Sequence, residues 1–238
     1  MDNAGYVNLA RQSGLMRQLQ VIANNVANIS TTGYRRGDLV FAEFIAPTGR
    51  GNASLSMPTA EGRLTDTTQG ALAQTGNPFD FAIEGPGYFQ IETPEGPRLT
   101  RAGAFTPNAE GELVTPEGLR VLDSGGSGIF IPPDAQNVTL APDGTISADG
   151  VPLAQLGIVM PTDGARLDRR QGVMFAVSGD VVPVANGKVV QGFLEQSNVN
   201  PVTEISRLIE VQRSYELGQK FLDREDERIR AVIRTLGQ

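Results

Sequence analysis

Hydrophobic residues change period twice along this chain, and that limits the fold more than any single residue does. Up to about Asn28 they recur at helical spacing. From Pro78 to about Glu195 they alternate in short runs broken by turn residues, and after Asn200 helical spacing returns. Such a chain reads as mainly β with flanking helices. An all-β sandwich or partly closed barrel takes the middle, and the N- and C-terminal helices pair as a coiled-coil-like domain.

Asp2 or Asn3 can cap the first helix, which runs to about Asn28. Leu9, Met16 and Ala23 recur every seven residues, and Leu19 and Val26 fill the complementary row, with Gln12 as a polar interruption. Gly5 and Gly14 weaken this helix on its own. At the other end Asn200 suits an N-cap and Pro201 a first helical position. Ile205, Leu208, Tyr215, Leu222, Ile229, Ile233 and Leu236 then follow seam spacing, with Gln212, Gln219 and Asp226 as polar interruptions. A helix this long with no domain of its own to lie on needs a partner. Asp223 to Arg228 reads as a solvated face of mixed charge.

Four segments follow: 1–36 as helix and turn, 37–77 as a linker or extended arm, 78–196 as the β domain, and 197–238 as the second helix. The arm is suggested by Pro47 to Ser56, which is rich in Gly, Ser, Thr and Asn. Within the β domain, Gly85-Pro86-Gly87, Thr93-Pro94-Glu95-Gly96, Pro116-Glu117-Gly118, Asp143-Gly144 and Asp149-Gly150 separate the strands. Asn186-Gly187, between Val181–Val184 and Val189–Phe193, predicts a hairpin.

Composition narrows the chemistry. The chain lacks cysteine, histidine and tryptophan. This removes thiolate and histidine metal sites and histidine-dependent nucleophilic systems. Net charge is −7 over 238 residues. Residues 1–36 are net positive and residues 201–238 neutral, so the acidity lies in the middle, which argues against nucleic acid as a partner. Glu84, Glu92, Glu110 and Glu112 are the carboxylates a wall-degrading hydrolase would have to use, but they sit at strand ends and turns with no spacing that pairs them. No cofactor, metal or small-molecule substrate is expected. The opening Met1-Asp2-Asn3 gives no sign of a cleaved secretory signal, which also counts against a secreted adhesin.

One stretch joins the first helix to the middle. Asn24, Asn25 and Asn28 crowd the helix end, and Ser30-Thr31-Thr32-Gly33-Tyr34 reads as a stop and a turn. Ala23 to Arg35 as a whole resembles the N-terminal signature of the flagellar rod and hook proteins. Ser197-Asn198-Val199-Asn200, with Gln212-Arg213 and Tyr215-Glu216, is similar to their C-terminal signature. Phe79 to Gly85, Gly87-Tyr88-Phe89, Thr100 to Phe105 and Gly111 to Thr115 resemble their β-domain core. Tyr34 stands where the family commonly has phenylalanine. The opening Met1 to Tyr6 and the approach Gly192-Phe193-Leu194-Glu195 are nearer to proximal-rod than to distal-rod members.

The resemblance implies a structural subunit of the basal-body rod, within the periplasm, that assembles helically with other rod proteins. It implies passage through the flagellar type III export apparatus, inner-tube helices at both ends, and a β domain outside them. On this reading Leu9, Met16, Leu19, Ala23, Val26, Ile205, Leu208, Gln212, Tyr215, Leu222 and Ile229 face other helices. The signature residues Asn24, Asn25, Asn28, Gly33, Tyr34, Ser197, Asn198 and Val199 form the joints.

Overall fold

A computed structural model describes residues 3–46, 55–184 and 187–236. Asp2 as a cap, the stretch 47–54 and Asn186 lie outside the described residues. The chain is mainly β with a helix toward each end. It divides into two compact units: residues 1–28, 36–66 and 199–238 form the first, and residues 29–35 and 67–198 the second.

The first unit holds α1 (Asn3–Ala27), β1 (Gly37–Ala46), β2 (Leu55–Thr65) and the C-terminal helix α2 (Pro201–Leu236). β1 and β2 form a two-stranded antiparallel pair from Gly37↔Thr65 to Ala46↔Leu55, with a bulge between Val40 and Phe41. Much of the stretch read as a linker or arm is therefore hydrogen-bonded strand. The two helices are joined by side-chain amides. Asn8 donates to the Gly218 carbonyl at 3.2 Å and Gln12 to that of Tyr215 at 2.9 Å. A Cβ at Gly218 would lie 2.0 Å from Gln12 Nε2, so the glycine makes room for that amide.

Among the described residues fifteen strands fill the second unit. They are β3 (Leu72–Gln74), β4 (Phe81–Glu84), β5 (Tyr88–Ile91), β6 (Arg98–Thr100), β7 (Thr106–Pro107), β8 (Leu113–Val114), β9 (Val138–Leu140) and β10 (Thr145–Ala148). After them come β11 (Val151–Gln155), β12 (Ile158–Pro161), β13 (Arg166–Arg169), β14 (Met174–Ser178), β15 (Val181–Pro183), β16 (Lys188–Gln191) and β17 (Phe193–Glu195). The largest sheet has the order β13-β14-β6-β5-β12-β15, and a three-stranded sheet has the order β11-β10-β9. Among the described residues the sheets are open, so the expected barrel closure is not found.

The main sheet is covered on both faces because neighbouring residues on a strand point to opposite sides. Phe89, Ile91 and Ile158 join the larger core with Phe81, Ile83, Phe105, Leu113, Ile129 and Val189. Tyr88 and Val159, next to them in sequence, join Leu99 and Phe175 in a smaller core on the other face. The Phe89 and Phe105 rings meet edge to face at 5.3 Å, as do those of Tyr88 and Phe175 at 6.0 Å.

Part of the hairpin expected at Asn186-Gly187 lies outside the described residues, and the strands on either side of it pair elsewhere. β15 pairs with β12 and β16 with β4. Val189 is buried in the larger core and its N–H donates to the Pro142 carbonyl at 2.9 Å, so long-range burial draws β16 away from β15. Asp143-Gly144 and Asp149-Gly150 do turn, with positive φ at Gly144, Asp149 and Gly150.

Candidate functional site

The helix end in the first unit is built around Asn25, which is 1% exposed. Its side-chain amide pairs with the backbone of Gly37 as a neighbouring strand would. Nδ2 donates to the Gly37 carbonyl at 2.8 Å, and Oδ1 accepts from the Gly37 N–H at 2.9 Å. Nδ2 also donates to Glu204 Oε2 at 3.1 Å. One amide thus ties the end of α1 to the start of β1 and to the first turn of α2. The short polar side chain suits this place because it supplies donor and acceptor together.

Glu204 is fully buried, and its charge is shared. Its Oε1 lies 3.4 Å from Arg36 NH1 and 3.7 Å from Arg207 NH1. Both arginines also reach Asp38, and Arg36 reaches Asp66 at 3.7 Å. Asn200 caps α2 through the N–H groups of Val202 and Thr203 at 3.0 and 3.2 Å. Asn28 bonds back to the Asn24 carbonyl at 2.8 Å and closes α1. Asn24 itself is exposed and Val199 is buried.

In the second unit the turn after α1 is fixed by close approach. Gly33 has φ +68°, and a Cβ there would lie 2.2 Å from the Ala102 nitrogen. Its N–H donates to the Glu195 carbonyl at 2.7 Å. Tyr34 is buried with the Arg169 guanidinium 4.4 Å from its ring centre. The Asn198 N–H donates to the Tyr34 carbonyl at 3.3 Å, and its side chain to that of Thr68 at 2.9 Å. Ser197 is half-buried beside it.

Arg35, Arg101 and Glu195 form a buried charge cluster that sequence reasoning did not assign a role. Glu195 Oε1 meets Arg35 NH2 at 2.9 Å, and Oε2 meets Arg101 NH1 at 3.1 Å. The Gly70 N–H donates to Oε1 at 3.1 Å. Burial pulls Arg101 below the usual guanidinium range, and Glu195 opposes the shift. All three residues stand inside or beside the quoted motifs, so position alone flagged them. The pairing links residues 160 apart in sequence, and no spacing rule reports it.

The seam residues fall into two rows on each helix. On α1, Gln12 and Ile22 are buried and Leu15, Leu19 and Val26 half-buried, whereas Leu9, Met16 and Ala23 are exposed. On α2, Glu204 and Val211 are buried and Leu208, Tyr215 and Leu222 half-buried, whereas Ile205, Gln212 and Ile229 are exposed. Leu19, Val26, Leu208, Tyr215 and Leu222 thus lie toward the interior of a single chain. Leu9, Met16, Ala23, Ile205 and Gln212 are left at its surface, each one position away from an inward residue, and Ile229 is exposed although it stands seven residues beyond Leu222 on the inward row. Glu92 and Glu112, considered above as catalytic groups, both face Arg120, at 3.6 and 2.9 Å, on an exposed part of the β unit.

Residues 7–35 match the family of flagella basal body rod proteins. Residues 82–148 match the D1 domain of flagellar hook protein FlgE/F/G, and residues 190–235 match the C-terminal region of flagellar basal body rod FlgEFG proteins. The chain is 38% identical to the flagellar basal-body rod protein FlgF of Caulobacter vibrioides, over all of this chain and 99% of the relative. The chain belongs to the flagellar basal-body rod protein family. FlgF of Mesorhizobium japonicum is 36% identical over the same shares, and FlgG of Agrobacterium fabrum is 38% identical over 92% of this chain and 93% of its own. The chain is accordingly a structural subunit of the flagellar basal body. The N- and C-terminal matches include Gly33 of the turn and Asn25, Arg35, Glu195 and Glu204, which are members of the two polar clusters.

Proposed function

We propose that the chain is a proximal-rod subunit, one of the proteins whose helical assembly forms a drive shaft across the periplasm and transmits torque. Full-length similarity to relatives named FlgF supports the proximal position. In this reading α1 and α2 pair in coiled-coil fashion, line the inner tube, and meet the helices of other rod proteins through their outer rows. The β unit faces outward. The subunit reaches its place through the flagellar type III export apparatus. It performs no catalysis and needs no cofactor, nucleic acid or small-molecule substrate.

The observation that carries the proposal is the apolar outer rows. Leu9 is 60% and Met16 44% exposed on α1, seven residues apart, and Val202 is 73%, Ile205 48% and Ile209 46% exposed on one face of α2. Large apolar side chains repeated along one face mark a surface that another chain covers. Contacts between unlike surfaces of successive copies build open helical assemblies rather than closed rings.

Ile205→Asp tests this. The side chain is outward, so the free protein should keep its circular dichroism and unfolding midpoint, while cells carrying the variant lose swimming and the subunit is missing from isolated basal bodies. Normal motility with normal incorporation would reject the outer row as an assembly surface.

A further inference from the structure

The β unit is made of two separate pieces of chain, and the smaller piece, residues 29–35, is held by buried charge. Arg35 is 0%, Glu195 1% and Arg101 3% exposed. Two guanidiniums share one carboxylate, one on each oxygen. Arg35 also donates to the Thr68 carbonyl, and Arg101 to those of Ile83 and Gly85. The Nε atoms of both arginines are buried without a hydrogen-bond partner. The cluster therefore carries net positive charge even when complete, and without Glu195 it would hold two uncompensated cations.

An uncompensated buried ion is costly, more so than the loss of the pair alone would suggest. The partners lie at positions 35, 101 and 195, and β17, which carries Glu195, is the last strand of the unit. Its pairing with β3 sets Glu195 opposite Leu72 and brings the carboxylate to the Gly70 N–H. The same residue supplies the backbone carbonyl that accepts from Gly33. Side chain and backbone of Glu195 thus both hold the 29–35 segment.

We propose that Glu195 is a latch: the 29–35 segment enters the β unit only when β17 has docked and its carboxylate neutralises Arg35 and Arg101 together. Before that, water solvates Arg35 better than the unit does, and the segment stays outside. A chain delivered N-terminus first would present residues 29–35 early and keep them unlocked until residue 195 arrives. The latch itself rests on the geometry of the cluster. Its use in delaying completion of the fold rests on the export route proposed above.

The test uses the full-length protein and three forms: wild type, Glu195→Gln, and a neutral cluster with Arg35→Met, Arg101→Met and Glu195→Met. Two readouts follow the segment: amide exchange at Gly33 and protease susceptibility of the Ile29–Arg35 backbone to a protease with broad specificity. Glu195→Gln should keep the core strands protected while exchange and cleavage in the segment rise about tenfold or more. The neutral cluster should restore protection to within a few-fold of wild type, because no buried cation then needs compensation. Should Glu195→Gln prove too unstable to purify, the neutral cluster decides: a folded, protected segment supports the latch, and an open one rejects it. Unchanged exchange in Glu195→Gln also rejects it. Secretion is measured separately in cells. A neutral cluster that shows the expected protection in vitro but is secreted at the wild-type level leaves the latch standing and removes its role in export.

Discussion

Asn25 puts donor and acceptor into a buried place where a backbone would otherwise go unpaired. Alanine there strips partners from both the N–H and the carbonyl of Gly37 and one from Glu204. Asn25→Ala should destabilise the first unit by about 1–3 kcal/mol, read from urea unfolding followed by helical circular dichroism. Aspartate is no rescue, since it keeps the acceptor but sets a second carboxylate against Glu204. Tyr88 makes a different point about burial. Desolvation raises its phenol above the ordinary range, Arg35 and Arg101 pull it down, and Glu195 pushes it up. The folded state therefore holds this proton more tightly than the unfolded chain does. The stability this confers is intact below the unfolded-state phenol value and is lost as pH climbs through the folded one. Phenolate absorbance of the folded protein should contain a late-titrating component, and Tyr88→Phe should remove it. A spectrum unchanged by the substitution would rule out the assignment.

At the scale of elements, the helices, the Asn200 cap of α2 and many strands of the β unit were legible, because period and turn residues report local structure directly. The seam was legible only in part. Leu19, Val26, Leu208, Tyr215 and Leu222 lie on the inward sides, but the companion inward row carries Gln12, Glu204 and Gly218 among its members. A polar residue or a glycine reads as an interruption until its partner is known, and here the partners are a backbone carbonyl, an asparagine and an amide that needs space. β13 escaped sequence reading for a related reason: Arg166-Leu167-Asp168-Arg169 buries only part of one face and looks like a charged loop. The two rows on α1 give opposite expectations for the free protein. Ile22→Ala, at a 2% exposed site, should cost about 2–5 kcal/mol. Met16→Ala, at a 44% exposed site, should stay within about 0.5 kcal/mol. Matched thermal unfolding of the two variants checks the assignment of rows, and equal losses would overturn it.

For the molecule as a whole, the two units differ in how much of their apolar surface a single chain can bury. The β unit closes two cores, with Phe81, Phe89 and Phe175 fully buried. The first unit ends in a helix whose residues 226–235 are all exposed, Ile229, Val232 and Ile233 among them. A helix segment with no tertiary face to pack on is marginal in water, since propensity alone barely offsets the ordering of the backbone. The free subunit should therefore open from that end at little cost, while the β core opens only with global unfolding. Hydrogen exchange on the full-length protein should find amides of residues 226–235 exchanging at least a hundredfold faster, in order of magnitude, than those of Phe89 and Leu99. If assembly buries this end of α2, the same amides should become protected in isolated basal bodies. Protection already complete in the free subunit would mean that the end of α2 is covered without a partner and is not an assembly surface.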